Sequence, residues 1–79
     1  MNLKELLEVI AKGLVEDKDA VTVTADEPNE EGVTVFHLKV AEDDVGRVIG
    51  KQGRIAKAIR TVIRSAAVKS GAHVMVEID

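Results

Sequence analysis

The residues with the clearest chemical potential are Gly46-Arg47-Val48-Ile49-Gly50-Lys51-Gln52-Gly53, a stretch holding three of the chain's six glycines. Without a Cβ, Gly50 and Gly53 can take positive φ and let another backbone approach closely. An amphipathic helical pattern follows at once, and the first N–H groups of a helix have no partners within it. With the helix dipole, they favour an anion. Arg47, Lys51 and Arg54 add positive charge beside the turn. The chemistry available here is recognition of a phosphodiester without any covalent step. A bare Gly-x-x-Gly is equally the corner of a plain helix–turn–helix, so the turn alone leaves both readings open.

The rest of the chain offers little reaction chemistry. Glu42, Asp43 and Asp44 have no third metal ligand or reactive partner nearby, and Asp43 or Asp44 suits an N-cap instead. His37 and His73 fall in separate predicted strands and read as structural or surface residues. Ser65 and Ser70 have no paired base. Cysteine is absent, which removes disulfides and thiolate chemistry. Neither GxxxxGK[ST] nor GxGxxG occurs, and this turn follows a short helix where those motifs follow a strand. No catalytic residue, metal or cofactor is expected.

Charge is distributed unevenly. The formal net charge is −3, yet residues 1–44 hold four basic and twelve acidic residues, while residues 45–70 hold seven basic and none acidic. Fields are screened beyond about 8–10 Å at ordinary salt, so the basic third can attract an anion despite the acidic remainder. The single aromatic residue, Phe36, excludes RNA modules that stack successive bases on several aromatic platforms. No stretch approaches the roughly 20 apolar residues of a membrane span, and no signal peptide is evident. A cytoplasmic protein with no membrane partner is expected.

These residues need elements to position them. Leu3, Leu6, Leu7, Ile10 and Leu14 have helical spacing over residues 2–16, with Asn2 and Glu5 as a capping box. Residues 20–26 alternate as a strand, residues 27–32 supply turn chemistry, and residues 33–41 form a second strand carrying Phe36, Leu38 and Val40 on one face. A short helix is expected over 45–49 and a longer one over 54–69. The longer one has an apolar face of Ile55, Ile59, Val62, Ile63 and Ala66, with Lys57, Arg60 and Arg64 facing solvent opposite. Gly71 stops it, and residues 73–78 alternate as a third strand. The two-helix crossover makes the second and third strands parallel neighbours. The expected fold is α+β, a single αββααβ domain over 1–79 with a three-stranded mixed sheet and three helices on one face.

Val48-Ile49-Gly50-Lys51-Gln52-Gly53, followed by an Ile-rich helix, resembles the VIGXXG signature of the KH domain, an RNA module whose GXXG loop clamps the backbone. The αββααβ order is that of the type II form. The run Asp44 to Lys51 and the helix Ile55 to Thr61 are similar to the small bacterial single-KH proteins of the KhpA family, over essentially the whole chain. The resemblance implies single-stranded RNA as partner, with Gly50, Lys51, Gln52 and Gly53 against phosphate and Arg47 and Arg54 flanking. It also implies an apolar cleft floor from Val48, Ile49 and Ile55, and an opposite wall from Phe36, Leu38 or His37. A homodimer, and pairing with a KhpB-like KH protein, are implied as well. The alternative is a protein-interaction adaptor whose KH fold serves mainly homo- or heterodimer assembly.

Overall fold

The computed structural model describes residues 1–78. Its elements run α1 (Leu3–Leu14), β1 (Thr22–Ala25), β2 (Val33–Lys39), α2 (Val45–Ile49), α3 (Arg54–Lys69) and β3 (His73–Ile78), with 3₁₀ turns at Lys18–Ala20, Glu42–Asp44 and Lys51–Gly53. The expected αββααβ order and mixed sheet are both present. The sheet order is β1-β2-β3, with β1 antiparallel to β2 and β2 parallel to β3.

Local chemistry explains where most elements start and stop. Asn2 Oδ1 accepts the Glu5 N–H at 2.8 Å and caps α1. The helix ends earlier than the 2–16 pattern suggests, because Val15 turns to extended geometry and inserts into the core. Asn29 Oδ1 accepts from the N–H groups of Glu31 and Val33 and shapes the hairpin connection. Val40 and Ala41 fall outside β2, since its register ends at Lys39 against Thr22 on one side and at Leu38 against Ile78 on the other. α3 closes with paired bonds, Ala72 N–H to Ala67 O and Gly71 N–H to Val68 O, around a left-handed Gly71.

The core lies between the helices and one sheet face. Leu7, Leu38, Val48 and Ile63 are fully enclosed, and burial of side chains of this size contributes about 1.5–3 kcal/mol each. Val23, Phe36 and Val76 join them from the strands. On α3 the buried stripe is Ala56, Ile59, Ile63 and Ala67, rotated from the expected face, while Val62 is 48% exposed. α3 lies over β3 and beside α1. Small alanines therefore face the core where the helix comes close, and the bulkier Val62 is left on the outside.

The other sheet face is open, with Thr22, Thr24, Met75 and Glu77 exposed. There His37 bridges the strands: its Nε2 lies 2.8 Å from Asp26 Oδ2 and its Nδ1 3.4 Å from Glu77 Oε2. Histidine here is a cross-strand tie on the side away from the helices.

Candidate nucleic-acid interface

α2 and α3 meet at the glycine turn. Gly50 ends α2 by donating its N–H to Gly46 O at 2.9 Å, and then takes φ 75°, ψ 175°. That combination is nearly restricted to glycine. Gln52 (φ 58°, ψ 24°) and Gly53 (φ 74°, ψ 15°) both enter the left-handed region, and Gly53 N–H returns to Gly50 O at 3.2 Å. α3 begins at the next residue, and no side chain caps it. Arg54 N–H is taken by Lys51 O, so only the later N–H groups of the first turn can face the loop, whose Lys51 and Gln52 side chains are exposed. A Cβ on Gly50 would sit 2.6 Å from Ile55 Cγ1, so the isoleucine side chain covers the glycine and fixes the approach of loop to helix.

The charged side chains at the turn differ in their commitments. Arg54 Nη2 donates to Gln52 Oε1 at 3.3 Å, a neutral tether that leaves the guanidinium charge uncompensated. Arg47 is held by two carboxylates, Glu16 Oε1 at 3.0 Å and Asp44 Oδ1 at 3.2 Å. Lys51, Arg54 and Lys57 therefore carry the free charge of the turn. Arg60 is exposed, as expected, and also donates from Nε to Val76 O at 3.1 Å, covering the outer edge of β3.

Asp44 does not cap α2 through its side chain. The preceding 3₁₀ turn puts Asp44 itself in helical geometry and already pairs the Val45 N–H with Glu42 O. Its buried carboxylate instead accepts the N–H groups of Asp17 at 3.1 Å and Glu16 at 3.2 Å, tying α2 to the chain leaving α1. The Asp17 N–H does most to hold this carboxyl below its ordinary pKa, with Glu16 N–H and Arg47 adding to it against the opposing effect of burial.

The apolar residues expected at the cleft separate into two groups. Ile49 and Ile55 are half-buried and reach the surface at the turn. Val48 is fully enclosed and belongs to the core, not to a cleft floor. The expected opposite wall is also corrected. Leu38 is fully enclosed, His37 lies on the far sheet face, and Phe36 borders a separate hollow of about 630 Å³ near Met1, Leu3, Ala66 and Ser70. The strand pattern gave the correct alternation, but the wall needs the residues at the helix seam. A groove of about 490 Å³ begins at Arg54 and Ile55 and runs between α1 and α3, with Leu6, Ile10 and Leu14 opposite Ala58, Ile59 and Val62. Its walls are hydrocarbon apart from Arg54. Sequence reasoning gave the α1 residues only a packing role, because nothing local shows which side of α1 α3 leaves open.

Among the described residues, no group of three or more His, Asp or Glu side chains could hold a metal ion, and no helix is long and apolar enough to cross a membrane. The arrangement is a positively charged, glycine-built turn opening onto an apolar groove, which suits non-covalent contact with a phosphate backbone and flat apolar groups.

Known proteins are similar to this chain over nearly its whole length. The chain is 58% identical over 76 residues to the RNA-binding protein KhpA of Clostridium acetobutylicum, covering 96% of this chain and 99% of the relative. It is 46% identical over 76 residues to the RNA-binding protein KhpA of Aquifex aeolicus, covering 96% and 94%. Among solved structures, Aquifex aeolicus Era bound to GDP·AlF4⁻ shares the fold with a TM-score of 0.66 at 22% identity, over 96% of this chain and 29% of Era. Era in complex with MgGDPNP and nucleotides 1506–1542 of 16S ribosomal RNA matches with the same TM-score, over 28% of that chain. The chain thus spans less than a third of Era, and that likeness speaks for the fold alone. The family model described as "KhpA/KhpB, KH domain" matches residues 4–78, the turn and both helices that frame it included, and the chain belongs to that family.

Proposed function

We propose that this chain is a non-enzymatic, cytoplasmic binder of single-stranded RNA acting in post-transcriptional regulation. The observation that carries the reading is the run of positive φ at Gly50, Gln52 and Gly53 in front of an uncapped helix start. Phosphates lie against Gly50–Gly53, Lys51 and Arg54 supply charge, and bases rest on Ile49, Ile55 and the adjoining groove. The RNA-binding names of relatives up to 58% identical support it. With about three or four phosphates contacted, single-strand counterion release gives a log–log salt slope of about −2 to −3. Without an aromatic platform, base selectivity is shallow.

The test is a variant carrying Lys51→Asp and Gln52→Asp, which places two carboxylates where phosphate would lie. It is expected to fold normally and to lose most RNA affinity. A folded variant with unchanged affinity and salt slope would remove the loop from the function.

A second reading, assembly into a homodimer or with a KhpB-like KH protein, is favoured by the hydrocarbon seam between α1 and α3, where Val62 is 48% exposed. Burying that seam in a second KH fold would leave bases only its Ile49 and Ile55 end, so assembly would raise RNA affinity through avidity and not through the groove. Sedimentation over a wide concentration range decides it, since a strict monomer that still binds RNA leaves assembly no role in binding.

A further inference from the structure

The two arginines flanking the turn are in different electrostatic states. Arg54 is tethered by a neutral amide, while Arg47, in the last turn of α2, faces Glu16 and Asp44. The two carboxylates are not equivalent. Asp44 is buried and bonded to two backbone N–H groups, so it is part of the fold. The Glu16 side chain is 79% exposed, and Arg47 is the partner it engages, at 3.0 Å. An exposed pair of this kind contributes little to stability, so the fold does not depend on it. Arg47 Nη2 is nevertheless the kind of group a phosphate oxygen would take up, and it is occupied.

We propose that Glu16 sets the affinity of this chain for RNA by competing with phosphate for Arg47, confining the phosphate track to the Lys51 and Arg54 side of the turn. This rests on the RNA-binding reading above. RNA that reached Arg47 would have to displace Glu16, whose negative charge also repels the incoming phosphate. Removing that charge while leaving Asp44 in place would release Nη2 without cutting the tie between α1 and α2.

The experiment measures binding of a labelled, randomised-sequence 12-nucleotide single-stranded RNA at several salt concentrations. The proteins are the parent chain, Glu16→Gln, Asp17→Asn, Arg47→Gln, and the Glu16→Gln/Arg47→Gln double variant. All are checked for folding by circular dichroism. Glu16→Gln is expected to bind about two- to five-fold more tightly, with a salt slope steeper by about 0.7, the increment for one further phosphate on a single strand. Asp17→Asn, a neighbouring charge removal, is expected to gain less. The Glu16→Gln gain is expected to vanish in the double variant. Unchanged affinity in Glu16→Gln, an equal gain in Asp17→Asn, or a gain that survives Arg47→Gln each overturns the proposal. A parent chain that binds no RNA overturns the underlying reading instead.

Discussion

Gly50 and Ile55 fit each other so closely that a Cβ on the glycine would lie 2.6 Å from Cγ1 of the isoleucine. Gly53 has a similar φ, but nothing lies within 4 Å of its absent Cβ. The two glycines of the motif therefore do different work, one accepting a side chain and the other only a bend.

Gly50→Ala combines backbone strain with overlap and is expected to cost about 3 kcal/mol. That is a large part of the total for a domain whose stability is on the order of 5 kcal/mol. Gly53→Ala carries only the left-handed penalty, about 1 kcal/mol. Urea unfolding followed by circular dichroism checks the order; equal losses would mean that the contact with Ile55 is unimportant.

Gln52 is the one non-glycine residue with positive φ among those described. Replacing it with glycine is expected to stabilise the fold by about 0.5–1 kcal/mol, since glycine reaches this region without steric cost. The same change removes the tether on Arg54. A gain in thermal midpoint accompanied by weaker RNA binding is the expected signature.

Asp44 makes stability depend on pH in one direction. Its folded pKa lies below the ordinary 3.8, chiefly through the Asp17 N–H, so its contribution is complete above that value and fades as pH falls through the folded pKa. Asp44→Asn is expected to lower the urea midpoint at neutral pH and to flatten the decline between about pH 5 and pH 2. Parallel curves for parent and variant would show that the carboxylate's charge is not what matters.

Arg60 covers the outer edge of β3 through Val76 O. Arg60→Ala is expected to cost about 1 kcal/mol, the net worth of one hydrogen bond. Backbone hydrogen exchange in β3 should rise more than exchange in α1. Uniform acceleration across the domain would argue against a local edge role.

Periodicity and caps made much of this architecture readable in the sequence. Helix α3 was bounded by Gly53 and Gly71, β3 by its alternation, and the parallel pairing by the length of the crossover. The turn was readable because positive φ is written in glycine. Less visible were features set by distant partners. Asp44 meets backbone groups of Glu16 and Asp17, and Arg47 meets Glu16, contacts that no local spacing encodes. The rotation of α3 that exposes Val62 and buries Ala56 depends on how near the sheet and α1 lie, which only packing decides.

Residues paired between β2 and β3 stand 40 positions apart throughout, from Val33 with His73 to Leu38 with Ile78. Half the chain must therefore loop back before these contacts form, and non-local pairing of this kind slows folding. During synthesis the sheet cannot close until residues 73–78 have left the ribosome, so the glycine turn is made well before the strand that completes its support. The newly made chain carries its basic segment ahead of a finished core.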